Sequence, residues 1–280
     1  TDDPVRRVEL LHQIASLYED AAGDLSAAFD TLARALAEDP AHEATQEALD
    51  RLARATSRFS DLAHVFERLA QAQQDGFLAS QLFSMAAKVY EQDLGDVDNA
   101  VKHYRKVLSI DPTSLSAAEA LEGLFRGVER YADLSAVLQT KAEIVDDPME
   151  KKTALFQAAA IEEEMLNRPE EAIKVYLLAL EADPDDVQAV DALIGQYLGL
   201  KRWEDLLGAY TKKVDLVFDP EEKKLIYYQM GAVYEREIGD VSRAIDTYQR
   251  VLELDPDDLS SWTVGRIVSG VGGMGGAIDG

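Results

Sequence analysis

Asp39-Pro40, Asp111-Pro112, Asp183-Pro184 and Asp255-Pro256 stand 72 residues apart. A fixed interval of this size constrains a chain more tightly than its composition does, because it makes the fold an array of one repeated unit. Ahead of each proline runs the same apolar pattern: Ala28, Leu32, Ala35; Ala100, Tyr104, Val107; Ala172, Tyr176, Ala179; Ala244, Tyr248, Val251. Spacings of four and three put these residues on one helical face. Proline cannot continue a helix and disfavours helical geometry in the residue before it, so each Asp-Pro ends its helix.

A second helix precedes each of these. Its face reads Leu11, Ile14, Ala15, Tyr18, then Phe83, Ala86, Ala87, Tyr90 in the next copy. Leu155, Ala158, Ala159, Glu162 and Tyr227, Met230, Gly231, Tyr234 follow at the same register. Between the two helices sits Gly23, Gly95, Asn167 or Gly239, the residue types that most readily take the left-handed conformation closing a helix. Asp24, Asp96 and Asp240 suit the start of the next helix, and Arg168-Pro169 replaces that device in the third copy. Each unit also holds a second pair of amphipathic segments. One carries Leu49, Leu52, Ala53, then Leu121, Leu124, Phe125, then Leu193, Gln196, Tyr197. The other opens on Phe59, Tyr131 or Trp203, each followed two residues later by Asp61, Asp133 or Asp205. About seven helical hairpins result, the second of each pair read as degenerate and shortened.

These residues resemble the tetratricopeptide repeat, whose first helix carries a large apolar residue, Leu-Gly and Tyr, and whose second carries Ala, an aromatic, Ala and a closing Pro. Tyr227, Met230, Gly231, Tyr234 and Ala244, Tyr248, Val251, Pro256 match that pattern with one extra residue in the turn. Glu162 departs from the Tyr position, which implies looser packing in the third copy. The resemblance covers roughly residues 5 to 260 and implies an all-α fold, a right-handed α-solenoid of stacked helix-turn-helix hairpins. The expected domain layout is a solenoid over 1–261 and a Gly-rich tail over 262–280, either a flexible end or an apolar peptide that docks in a groove of its own or a neighbouring chain.

The family implies a non-enzymatic scaffold that binds a peptide or protein segment in a concave groove lined by the first helix of each hairpin. Residues just after its Tyr position point into that groove: Glu19, Glu91, Glu163 and Glu235, joined by Asp20 and Glu164. Such a ridge of carboxylates attracts Lys or Arg from a ligand. Phe156 and Tyr228 fall at groove positions suited to an apolar ligand side chain. Some family members grip a terminal carboxylate with a basic clamp; His12, Ser84 and Lys88 at those positions do not supply one. Two alternatives remain open: a spacer cut from a longer array with no tight ligand, and a regulatory arm of a larger enzyme.

Composition narrows the partner. Asp and Glu number 53 against 28 Lys and Arg, a formal net charge of −25 in 280 residues. That balance argues against nucleic acid and anionic membrane surfaces and permits a basic protein partner. Without cysteine there are no disulfides, thiolate metal sites or cysteine nucleophiles. His12, His42, His64 and His103 form no pair at metal-binding spacing, and no catalytic motif stands out, so neither a metal, a cofactor nor a catalytic residue is expected. Gly270 to Gly275 satisfies G-x-G-x-x-G, but the given sequence stops five residues later and leaves no room for the helix and distant acidic residue of a dinucleotide site. No run of 18 uncharged apolar residues exists to span a bilayer. The opening stretch TDDPVRRVELL has no apolar leader, which favours the cytoplasm.

Overall fold

The structure, a computed structural model, describes residues 3–256. Among these, fourteen α-helices pair into seven hairpins with no strand. The helices fall into two compact units divided after Asp146. The first unit holds α1 (Pro4–Leu17), α2 (Leu25–Glu38), α3 (Glu43–Thr56), α4 (Phe59–Ala72), α5 (Gly76–Lys88), α6 (Val97–Ile110), α7 (Leu115–Gly127) and α8 (Tyr131–Ile144). The second holds α9 (Pro148–Ala160), α10 (Pro169–Ala182), α11 (Val187–Gly199), α12 (Trp203–Leu216), α13 (Pro220–Ala232) and α14 (Val241–Leu254). Within each unit every hairpin stacks on the next, an all-α solenoid arrangement. The Gly-rich tail lies outside the described residues, and no described helix is long and apolar enough to cross a membrane.

One residue type punctuates the whole array. Asp3, Asp39, Asp75, Asp111, Asp147, Asp183, Asp219 and Asp255 lie 36 residues apart, and all but Asp75 precede a proline. Asp3, Asp75, Asp147 and Asp219 start α1, α5, α9 and α13, each carboxylate accepting a free backbone N–H at 2.8–3.1 Å. Asp39, Asp111 and Asp183 instead end α2, α6 and α10. Their side chains turn forward and accept the N–H of Ala41, Thr113 and Asp185 at 3.0–3.2 Å. Equal spacing shows that the second hairpins are not shortened. Every helix has 13 or 14 residues.

The two hairpin types differ in how their first helix ends. In α1, α5, α9 and α13 the ladder widens into a π-helical turn: Tyr18–Ala22, Val89–Asp93, Ile161–Met165 and Val233–Ile238. The N–H groups of Asp24, Asp96, Arg168 and Asp240 donate six residues back, to the carbonyls of Tyr18, Tyr90, Glu162 and Tyr234, at 2.7–2.8 Å. This is one residue wider than the usual closing bond and absorbs the extra residue of the turn. Gly23, Gly95, Asn167 and Gly239 take φ between 51° and 78° there, so Asn does stand in for Gly on backbone grounds. In α3, α7 and α11 the closure has ordinary width. Arg58, Arg130 and Arg202 donate five residues back at 2.9 Å, with Ser57, Glu129 and Lys201 held at φ of 55–56°. A left-handed non-glycine residue costs about 1–2 kcal/mol. Lys201→Gly is therefore expected to stabilise the chain by about 0.5–1 kcal/mol after the entropy of glycine is subtracted, read as a higher urea midpoint. An unchanged or lower midpoint would contradict this account.

Each unit has its own core. Phe29, Phe66, Phe125, Leu49, Leu62 and Leu121 are buried in the first, and Ala158, Leu193, Leu206 and Val251 in the second. Ile14 and Tyr18, expected on the core-facing side of α1, stand 43% and 38% exposed, whereas Ala86 and Tyr90 at the same register of α5 are buried. No described hairpin precedes α1 to cover that side. Glu162, expected to loosen the third copy, is 6% exposed, and its Oε2 has no hydrogen-bond partner. The site is filled, by a carboxylate that sits 4.0 Å from Arg168 Nη1.

Candidate functional site: a groove along helix α5

One face of α5 in the first unit lines three adjoining cavities of about 460, 270 and 520 Å³. Asp75 caps α5 and Gly76 follows it, and the 3.6-residue period then lays Phe77, Gln81, Ser84, Lys88 and, within the π-turn, Gln92 in one row. The opposite face carries Ala79, Leu82, Phe83 and Ala86 into the core. Near Phe77 the far wall is Ile110 and the start of α7, with Ser114 and Ser116. Near Lys88 the far wall is α3, with Glu43, Gln46, Glu47 and Asp50 over a floor of Phe66, Met85 and Val89.

Charge is unevenly distributed along this row. Arg54 is held on both sides: Nε donates to Asp50 Oδ2 and Nη1 to Asp93 Oδ1, each at 2.9 Å. The hydrogen bond to Asp50 is the largest of several that raise the Arg54 pKa, so this group stays cationic and occupied. Glu43, Glu47 and Lys88 are in no ion pair among the described residues. The α3 end of the groove therefore keeps the larger excess of negative charge, and the Phe77 end carries one carboxylate, Asp111, among apolar and serine side chains.

Three of the carboxylates expected to face a ligand are engaged instead by their own hairpin or by the next one. Glu19 pairs with Arg51 at 2.8 Å. Glu91 accepts from the Tyr104 hydroxyl at 2.7 Å, and Glu235 from the Tyr248 hydroxyl at 3.1 Å. Burial first, then these acceptors, push both phenols up, Tyr248 to about 12. Tyr176 is raised by burial and by nearby Glu163 and Glu164, which are exposed. Leu32 stands where Tyr104, Tyr176 and Tyr248 recur, which leaves Glu19 to Arg51 instead. Among the π-turn residues of α5, Gln92 and Asp93 line the groove and Glu91 does not. Phe156 is half-buried, edge-on to Tyr176 at 5.5 Å, with Lys152 Nζ 5.3 Å from its ring centroid. Tyr228 is half-buried 6.1 Å from Tyr248. Both share the 72-residue register of Ser84, which does line the groove.

A polar cluster that spacing alone does not reveal sits beside α3. Thr45 N–H donates to His42 Nδ1 at 3.2 Å, which makes that nitrogen a lone-pair acceptor and His42 the N-cap of α3. The Thr45 hydroxyl lies 2.7 Å from the same nitrogen and 2.6 Å from His12 Nε2. These contacts assign a chain in which His12 donates to the hydroxyl and the hydroxyl donates to His42. Burial, then the neighbouring His42, lowers the His12 pKa. Its neutral form is thus favoured in the folded state, so its contribution to stability is full above about pH 6.5 and lost as the pH falls below that. His12→Asn is expected to cost stability at pH 8 and less at pH 5, measured by urea midpoints. A difference independent of pH would exclude this linkage.

A repeated clasp was also missed in the sequence. Arg58, Arg130 and Arg202 precede α4, α8 and α12, and their Nε groups donate to Asp61, Asp133 and Asp205 at 2.6–2.8 Å. The same guanidiniums reach back to Asp30, Asp98 and Glu170 at 2.7–3.3 Å, joining successive hairpins. Burial alone would raise the Asp133 pKa; Arg130 and Arg105 outweigh it and hold the group below the usual carboxylate range. The signal was available as Arg, aromatic, any residue, Asp, repeated every 72 positions.

Comparison with known proteins places this geometry. A tetratricopeptide repeat model matches residues 226–260, and a second model of that description matches 80–114 and 164–186. The chain is 21% identical over 174 residues to Superkiller protein 3 of Schizosaccharomyces pombe, covering 61% of this chain and 12% of that protein. It is 32% identical over 85 residues to Photosystem I assembly protein Ycf3 of Acaryochloris marina, covering 29% and 51%. The chain thus spans about half of one curated relative and a small part of the other. Among solved structures it is similar to a tetratricopeptide repeat protein from Parabacteroides merdae, at 14% identity over 94% of this chain and 99% of that one, with a TM-score of 0.37. It is also similar to YrrB, described as a TPR protein with an unusual peptide-binding site, at 14% identity over 73% and 99%, with a TM-score of 0.33. The family models fall on the hairpins α5–α6 and α13–α14 and on α10 with the π-turn before it, segments that each carry the π-turn and the Asp punctuation, and the chain therefore carries tetratricopeptide repeats.

Proposed function

We propose that this chain, a protein–protein interaction scaffold by its repeats, holds an extended segment of a partner protein along the α5 groove and carries out no reaction of its own. The observation that carries this is the single row of α5 side chains lining three adjoining cavities. The unpaired Glu43 and Glu47 favour a partner segment that carries Lys or Arg. In the second unit Glu163, Glu164 and Glu235, with Phe156 and Tyr228 at the register of Ser84, are the corresponding candidates. In the first unit Glu19 and Glu91 act at the edge of the site, through their pairing with Arg51 and Tyr104.

The test blocks the groove without touching the core. Ser84→Arg places a long side chain on its floor, and circular dichroism checks that helical content is retained. A fluorescent pool of heptapeptides containing Lys, Arg, Leu and Phe should bind the parent chain and lose at least tenfold in affinity for Ser84→Arg. Equal binding to both chains would put the site elsewhere. No binding to either would leave the spacer role as the better description.

A further inference from the structure

The α5 groove is chemically two-ended, and that polarity specifies its ligand more narrowly than a groove as such. At one end Phe77 is 73% exposed, an unusual position for a benzyl side chain, and Ile110 beside it is 37% exposed. The walls there are serine hydroxyls and one carboxylate, Asp111, whose Oδ1 accepts from the Thr113 N–H and hydroxyl at 3.0 and 2.7 Å. At the other end Glu43 and Glu47 lie four apart on α3 and so face the groove together. Asp50, Asp93 and Arg54 form a closed triad with one surplus negative charge, and Lys88 is the single unpaired base opposing them.

From Phe77 to Lys88 is eleven helical residues, about 16 Å at 1.5 Å each. An extended chain covers that distance in about five residues at 3.3 Å each. We infer that the groove reads a bipartite segment: one apolar side chain, aromatic or large aliphatic, seated on Phe77 and Ile110, and a basic pair about five residues away seated between Glu43 and Glu47. This rests on the groove reading above and adds a spacing rule to it. The apolar contact buries Phe77 and sets the register; the carboxylates supply attraction that salt screens, because both are exposed.

The probes are labelled synthetic peptides in Gly-Ser backbones, with one Phe placed two, five or eight residues from an Arg-Lys pair, in both chain orders, and a Phe-free control. Anisotropy is measured on the full chain at low and moderate salt. The five-residue spacing is expected to bind at least tenfold tighter than the others. Phe77→Ala should reduce it to the level of the Phe-free control. Glu43→Gln with Glu47→Gln should weaken every peptide and flatten the salt dependence. Phe218→Ala, a change at the 93% exposed phenylalanine of the second unit, should alter nothing. Binding that is equal at all spacings, or unaffected by Phe77→Ala, overturns the two-ended rule and leaves the groove reading intact. If no peptide binds the parent chain and the heptapeptide pool fails as well, both fall together.

Discussion

Phe125→Ala is expected to lower the unfolding free energy by about 3–5 kcal/mol, the usual range for truncating a fully buried phenylalanine. The ring is 1% exposed on α7, and the guanidiniums of Arg105 and Arg130 lie 5.4 and 5.1 Å from its centroid. Removal therefore opens a cavity and strips two cation–π contacts from cations that also hold Asp133. In a repeat array each hairpin leans only on its neighbours, so the loss should be local at first. Hydrogen exchange should quicken in α6, α7 and α8 at denaturant concentrations that leave the second unit protected. Phe125→Leu, which keeps most of the volume, should recover more than half of the lost stability. A loss below about 1 kcal/mol for the alanine variant would mean the hairpins close over the gap, against the close packing usual in protein interiors.

Glu162→Met should act in the opposite direction, raising stability by about 1–3 kcal/mol, the cost usually attached to a buried polar group without a partner. Methionine has nearly the volume of glutamate and no group to satisfy, and the backbone carbonyl of residue 162 would still accept from Arg168. Tyr90 shows that a largely apolar side chain is at home in this register of the first unit. The urea midpoint decides: a fall on substitution would show that the 4.0 Å approach of Arg168 is worth more than the desolvation of the carboxylate.

What could be read from the sequence was whatever is local. The helix faces, the left-handed Gly23, Gly95, Asn167 and Gly239, and the caps Asp24, Asp96 and Asp240 each depend on a few neighbouring residues, and apart from the exposed Ile14 and Tyr18 of α1 they stand in the structure as expected. The π-turns were visible only as one surplus residue per turn, because a widened ladder has no residue signature of its own. Glu91 was placed correctly along the helix, yet the Tyr104 hydroxyl that claims it comes from a different helix of the hairpin. The groove itself was hidden for a related reason. Its acidic wall belongs to α3, which the pattern revealed only through its apolar face of Leu49, Leu52 and Ala53. The Arg58, Arg130 and Arg202 clasps join residues about 30 positions apart, beyond the reach of helical periodicity.

The eight aspartates spaced 36 residues apart make the chain divisible at interchangeable seams. Removing residues 75–146 would bring Gln74 directly before Asp147-Pro148, so a helix-opening Asp would again follow α4, now with Pro in place of Gly76. Duplicating the same stretch would likewise return an Asp at each new junction. Such a chain can be lengthened or shortened in steps of 72 residues with no new joint chemistry, and each added copy is then free to diverge on its exposed face, as His12, Ser84, Phe156 and Tyr228 have diverged at one shared register.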